Sequence, residues 1–250
     1  MKPKYTKEPP AFVSHSRETG TDYRIYVSAP DPGAHPGPWP AVVLMDGDFL
    51  FDPAVKAYRA LATSGNAPPA AIVGVGYGSG FGQPGNFRGR DYTPTASTDE
   101  PSSGGADRFI DYLGGSLWPE LARRYPLRES GRIIAGHSLG SLVVLHSLFR
   151  KKPFFDHALA GAPSIWWDNR SILGLISRLR DQQSRLPGRL YLGVGSEETP
   201  SMIGDVALLQ KQLRDRPFSG LEVREETFAG RDHYDSAPEI MTGGLSYLFG

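Results

Sequence analysis

The sequence predicts an α/β fold, a mostly parallel central sheet with helices on both faces, led by an antiparallel hairpin. Three observations carry this. Ala41-Val-Val-Leu-Met45 and Ala70-Ala-Ile-Val-Gly-Val75 are short, continuous apolar runs, the composition of strands buried on both faces. Stretches with apolar residues at helical spacing separate such runs, and strands that alternate with helices pair in parallel. Ahead of them, two alternating runs within residues 11–30 flank Gly20, with Asp22 to Ser28 the clearer, which is the pattern of a hairpin.

Taken in order, the Pro and Gly cluster from Pro30 to Pro40 is a loop, and the Ala41 strand ends at Asp46-Gly47-Asp48 ahead of a helix expected from about Pro53 to Thr63. The Ala70 strand opens into a long loop over 76–105, with Phe87, Arg90 and Tyr92 as anchors in 86–95 and a looser portion over 96–105. Phe109, Tyr112, Leu113, Leu117 and Leu121 recur on one helical face up to about Tyr125, with a kink expected at Gly114-Gly115. After the stretch from Arg132 to Leu145, treated below, come a strand from His157 to Ala162 with a helix from about Ser171 to Leu179, and a strand from Leu190 to Val194. The helix that follows carries Val206, Leu209 and Leu213 on one face. Leu221 to Phe228 alternates, as an edge strand does, and a last helix closes the chain.

At 250 residues with 39% apolar and 22% charged residues, the chain is long enough for one buried core, and a single domain over 1–250 with a loose tail over 1–10 is the simplest organisation. Lys plus Arg equals Asp plus Glu at 27 each, which gives no electrostatic argument for nucleic acid or an anionic membrane surface. Without cysteine there are no disulfides, thiolate chemistry or Cys-ligated metals. No segment has the apolar length of a signal peptide core or a membrane span, so a cytoplasmic location is expected. Neither a metal nor an organic cofactor is expected, and nothing in the sequence speaks to oligomeric state.

The chemistry centres on Arg132-Ile-Ile-Ala-Gly-His-Ser-Leu-Gly-Ser-Leu-Val-Val-Leu145, an apolar strand, a sharp turn and a helix. Gly136-His137-Ser138-Leu139-Gly140 fits G-x-S-x-G, in which the Ser occupies a strained apex and the glycines remove colliding side chains. The helix beginning there aims its first N–H groups at charge that develops beside Ser138, which makes the Leu139 N–H an oxyanion donor candidate. A second donor is expected from the N–H of Gly47 or Asp48, with the Asp48 carboxylate turned outward.

A Ser hydroxyl needs a base, and six histidines are available. His233 lies just after the last strand, where the order Ser, acid, His places the base. His15, His35, His137, His146 and His157 read as surface or packing residues. The acid belongs after the penultimate strand, where Gly195 followed three residues later by Glu198 selects that carboxylate. Glu197 is the runner-up, Asp205 requires the loop to fold back, and Asp232 adjoins His233 too closely to orient its ring. Of Trp166 and Trp167, one ring is expected to line a substrate pocket and the other to pack in the core.

Leu44-Met-Asp-Gly47, Arg90-Asp-Tyr-Thr-Pro-Thr95, Gly136-His-Ser-Leu-Gly140, Ser164-Ile-Trp-Trp167 and Gly230-Arg-Asp-His233 together resemble the Esterase family of α/β-hydrolases. That family includes siderophore (enterobactin-type) esterases, S-formylglutathione hydrolases, feruloyl and acetyl-xylan esterases, and mycolyltransferases. The resemblance runs from about residue 12 to the end and is closest to the siderophore-esterase branch. It implies an α/β-hydrolase fold, Ser138 as nucleophile, His233 as base, an acid in the Glu197–Glu198 loop, and ester hydrolysis without a cofactor. Ser141 stands where the family often has a second Gly, and the acid loop departs from Gly-x-x-Asp.

The expected activity is therefore that of a serine carboxylesterase acting on a small-molecule ester, of siderophore or aryl type, through an acyl-enzyme. Phe87, Arg90, Tyr92, Trp166 and Trp167 are the expected substrate-binding residues. An acyltransferase using the same intermediate and a catalytically silent binding module are the competing readings.

Overall fold

In the computed structural model, which describes residues 5–250, the chain opens with β1 (Phe12–Ser16), β2 (Thr21–Ser28) and β3 (Ala41–Leu44). There follow α1 (Gly47–Thr63), β4 (Ala71–Gly76), a short α2 (Arg88–Asp91) and α3 (Ala106–Tyr112). A π-helical turn, Leu113–Leu117, joins α3 to α4 (Trp118–Arg124). Next come β5 (Ile133–His137), α5 (Leu139–Leu148), β6 (His157–Gly161), α6 (Trp167–Gln182) and β7 (Arg185–Gly195). The last elements are α7 (Pro200–Asp215), β8 (Ser219–Phe228) and α8 (Ala237–Phe249).

The eight strands form one sheet in the order β1-β2-β4-β3-β5-β6-β7-β8. β1 pairs antiparallel with β2 and β2 with β4, and every other pairing is parallel. This is the mixed, mostly parallel sheet with a leading hairpin that the sequence predicts. All residues of β3, β4 and β5 are buried, because helices cover both faces of the central strands. On one face Phe51, Ala54 and Leu61 of α1 meet Ile240 and Leu245 of α8; on the other, Phe109, Leu142, Ile172 and Leu209 from α3, α5, α6 and α7 join one apolar layer. β8 is an edge strand, and its exposed Glu222, Arg224 and Glu225 discourage pairing with another chain. Among the described residues no helix is long and apolar enough to cross a membrane.

Local differences from the sequence expectation have physical causes. Helix α1 starts at Gly47 and takes Pro53 into its interior, because Asp46 adopts a left-handed conformation (φ 54°, ψ 42°) that turns the chain from β3 directly into the helix. The expected kink at Gly114-Gly115 takes the form of the π-helical turn. Residues 96–105 are tied down rather than loose: Gly105 N–H donates to Arg90 O (2.8 Å), Gly104 N–H to Thr93 Oγ1 (2.8 Å) and Ser97 N–H to Ser103 Oγ (2.9 Å). Within the expected loose tail, Thr6 donates from its N–H to Asp48 O (2.6 Å) and from its hydroxyl to Gly47 O (2.9 Å), and the Tyr5 ring packs 4.7 Å from that of Phe49. Residues 1–4 of that tail lie outside the described residues.

Candidate active site

The site begins with the connection from β5 to α5. Ser138 stands between them at φ 58°, ψ −124°, a conformation that costs about 1–3 kcal/mol for a residue with a Cβ. The glycines around it are required by close approach. A Cβ on Gly136 would lie 2.5 Å from Gly140 O, and one on Gly140 would lie 3.1 Å from Asp46 Oδ2 and 3.2 Å from Met45 Cβ. The turn is then locked by hydrogen bonds: Ser138 N–H donates to Gly161 O (2.8 Å), and the buried Ser141 hydroxyl reaches both Gly136 O (2.8 Å) and Gly161 O (2.6 Å). From α5, Ser141 thus ties the end of β5 to the end of β6.

The N–H of Leu139 belongs to the first turn of α5, and those of Gly47 and Asp48 to the first turn of α1, so none of the three has an acceptor within its helix. Both helices begin at the carboxyl ends of the neighbouring strands β3 and β5. The Asp48 side chain is not turned out to solvent as expected. It is buried, accepting from Tyr26 Oη (2.7 Å), Tyr77 N–H (2.5 Å) and Gly78 N–H (3.0 Å), which keeps its charge at the β4 end.

At the ends of β7 and β8 the loops bring Glu198 and His233 together. His233 Nδ1 lies 2.9 and 3.0 Å from the two carboxylate oxygens of Glu198, a residue only 6% exposed. A buried carboxylate on Nδ1 fixes the ring tautomer that leaves Nε2 as the acceptor and stabilises the protonated ring. Glu197 is exposed and uses its N–H on Arg231 O (2.9 Å). Asp205 is held by Arg170 Nε (2.5 Å) on α7, and Asp232 Oδ1 accepts from the N–H groups of Tyr234 (2.9 Å) and Asp235 (2.8 Å), a turn of its own.

His137, next in the chain to Ser138, lies with its ring 4.8 Å from that of His233. Burial pushes its pKa down to about 3, helped by the neighbouring charges of His233 and Arg88, so His137 stays neutral around pH 7. Among the described residues its Nε2 has no hydrogen-bond partner. His146 meets Asp107, His157 accepts from Arg189 N–H, and His15 meets Asp22. Among the described residues no group of three or more His, Asp or Glu side chains converges as a metal ion would need.

Around this centre the two tryptophans divide. Trp166 is 50% exposed at the carboxyl end of β6, whereas Trp167 is buried and donates from Nε1 to Thr95 O (3.0 Å). Phe87 is exposed, under the Arg90 guanidinium at 4.7 Å. The Arg90 and Tyr92 side chains turn inward. Arg90 bonds the buried Asp91 (2.7 Å) and Thr21 (2.8 Å), and Tyr92 is fully buried, its hydroxyl accepting the Asp46 N–H (3.0 Å). Their polar ends serve the scaffold: the Tyr92 ring joins the cluster of Tyr23, Tyr77 and Phe109, and the Arg90 guanidinium is held by Asp91 and Thr21.

The Esterase family, described as putative esterase, matches residues 16–235. The chain belongs to this family. It is 30% identical to the ferri-bacillibactin esterase BesA of Bacillus subtilis over 93% of this chain and 86% of the relative. It is 36% identical to the siderophore triacetylfusarinine C esterase of Aspergillus fumigatus over 83% of this chain and 75% of the relative. The crystal structure of the BES protein from Bacillus cereus superposes with a TM-score of 0.85 at 26% identity, covering 100% of this chain and 99% of that one.

Set in this family's fold, three side chains to which the sequence analysis assigned no role, Ser164, Asp46 and Arg88, stand beside Ser138 and the first turn of α5. Ser164 Oγ lies 3.5 Å from Ser138 Oγ, and Ser164 N–H donates to Ser138 O (3.3 Å). Asp46 and Arg88 form a two-pronged ion pair, Nε to Oδ1 at 3.0 Å and Nη2 to Oδ2 at 2.9 Å, beside the first turn of α5. Their signals were present in the sequence: Asp46 ends the Ala41 strand, and Arg88 opens the Arg-Gly-Arg-Asp stretch. Only the fold shows that they meet.

Proposed function

We propose that this chain is a serine carboxylesterase that cleaves a siderophore-type or aryl ester through an acyl-enzyme. The observation that carries the reading is the buried Glu198 carboxylate holding His233 Nδ1, with that ring packed against the neighbour of a strained Ser138. As Ser138 Oγ attacks the ester carbonyl, His233 Nε2 takes its proton, and Glu198 stabilises the imidazolium. The oxyanion is held by the Leu139 N–H and by an N–H of Gly47 or Asp48. His233 then protonates the leaving alcohol, leaving the acyl group on Ser138. Water, deprotonated by His233, attacks that acyl group; the bond to Ser138 Oγ breaks, His233 returns the proton to Ser138 Oγ, and the acid leaves.

The names of the relatives, a ferri-bacillibactin esterase and a triacetylfusarinine C esterase, support a siderophore ester as the substrate class. The exposed rings of Trp166 and Phe87 suit contact with a planar aryl group. The test is hydrolysis of p-nitrophenyl esters of graded chain length beside a catecholate trilactone and a feruloyl ester, with Ser138→Ala as control. Ser138-dependent release of acid supports the reading, and undiminished turnover by Ser138→Ala refutes it.

A further inference from the structure

We infer that Arg88 is a positioning residue for the oxyanion site: by clamping Asp46 it holds the β3–α1 turn in its left-handed conformation and cancels a carboxylate charge that would otherwise oppose the developing oxyanion. The inference rests on the serine-esterase reading above.

Asp46 carries three separate restraints. Its carboxylate receives both prongs of the Arg88 guanidinium (3.0 and 2.9 Å), its N–H donates to Tyr92 Oη (3.0 Å), and its carbonyl accepts the N–H groups of Phe49 and Leu50 (both 2.9 Å). A side chain bearing a Cβ is disfavoured at φ 54°, so the turn persists because its surroundings over-determine it. That turn decides where the first N–H groups of α1 point, and those of Gly47 and Asp48 are the proposed donors.

Charge gives Arg88 its second task. Asp46 is 3% exposed, and its Oδ2 sits 3.1 Å from where a Gly140 Cβ would stand, against the first turn of α5. The positive end of that helix attracts any anion, and an unneutralised carboxylate there would compete with the oxyanion for it. Arg88 is itself braced for the role. Its guanidinium lies over the Phe81 ring at 4.3 Å and near the Tyr92 ring at 5.6 Å, and its side chain is 18% exposed. A bidentate fork matches a carboxylate in a way that an ammonium group does not.

The experiment compares Arg88→Ala, Arg88→Lys, Asp46→Asn and the double variant Asp46→Asn/Arg88→Ala with the parent on p-nitrophenyl acetate, a small uncharged ester. Thermal unfolding checks that each folds. Arg88→Ala is expected to lose about 10²-fold in kcat, the scale of one oxyanion donor, with KM held within about threefold. Arg88→Lys, which restores charge without the fork, falls between. The double variant is expected to regain about tenfold over Arg88→Ala, because Asn tolerates the left-handed turn and carries no charge.

A crystal structure of Arg88→Ala gives a readout free of turnover, and Asp46 is expected to leave the left-handed region there. Unchanged kcat in Arg88→Ala, a rise in KM alone, a double variant no faster than Arg88→Ala, or an unmoved Asp46 turn would each overturn the inference while leaving the serine reading intact. Turnover surviving in Ser138→Ala would instead overturn the serine reading and the inference with it.

Discussion

His137 makes acid stability a direct test of how the site is built. The perturbation is His137→Phe, which keeps a planar ring against His233 and removes the one titrating group and its unpartnered Nε2. In the fold, burial first and the charges of His233 and Arg88 second depress the His137 pKa from 6.5 to about 3. Below pH 6.5 the unfolded chain therefore takes up a proton that the folded chain refuses until about pH 3, so stability falls as the pH drops through that window. Between pH 7 and pH 5 the unfolded chain gains most of a proton at this position and the folded chain almost none, which integrates to about 2 kcal/mol. All other groups titrate in both proteins and cancel in the difference. Urea unfolding at pH 7 and pH 5 is the assay, with the parent losing about 2 kcal/mol more than His137→Phe over that interval. Equal losses in the two proteins would show that His137 titrates in the fold as it does in the unfolded chain, and the account of its burial would fail.

Replacing Glu198 with Gln leaves the shape and removes the charge on His233 Nδ1, so kcat is expected to drop by about 10⁴, while Glu197→Gln stays within about twofold; steady-state kinetics of the pair decides the acid. Trp166→Ala should raise KM for an aryl ester about two- to tenfold, from the loss of one ring contact, with KM for an acetyl ester and the melting temperature unchanged. Tyr92→Phe strands the buried Asp46 N–H, and urea unfolding should register a loss of about 1–3 kcal/mol. A stability change within about 0.5 kcal/mol would mean that another acceptor takes that N–H.

What could be read from the sequence was whatever periodicity and order encode. Continuous apolar runs marked β3, β4 and β5 because strands buried on both faces have no room for polar residues, and Gly20 marked the leading hairpin. The spacing from Gly195 selected Glu198 over Glu197, and the fold buries the former and exposes the latter. Direction was what the sequence lacked. Tyr92 and Arg90 carry the side chains of a binding loop, yet the loop turns them inward, a choice made by tertiary packing with Tyr23, Asp91 and Thr21. The same blindness gave Asp48 attention that Asp46 needed, since two carboxylates flanking one Gly look alike until the left-handed turn at Asp46 sends one toward β4 and the other toward α5.

The distribution of backbone strain ties these points together. Among the described residues, the non-glycine positions with positive φ are Asp46, Ser138, Ala162, Asp168, Asn169 and Arg170. All follow the carboxyl ends of β3, β5 and β6, three strands that lie side by side in the sheet. Each such position costs of order 1–3 kcal/mol, and a fold selected for stability alone would scatter or remove them. Here they coincide with the Ser138 apex, the turn that aims the first N–H groups of α1, and the two turns that flank Trp166, at Ala162 and at Asp168–Arg170. Fixed partners oppose the strain at each place: Arg88 and Tyr92 on Asp46, Gly161 O on the Ser138 N–H, and Asp205 on Arg170. Glycine would relieve the strain at any of these positions, but at the apex it would delete the hydroxyl and at Asp46 the carboxylate that Arg88 grips. The strain therefore marks the same corner of the sheet that the chemistry proposed for Ser138, His233 and Glu198 selects, and it does so from backbone angles alone.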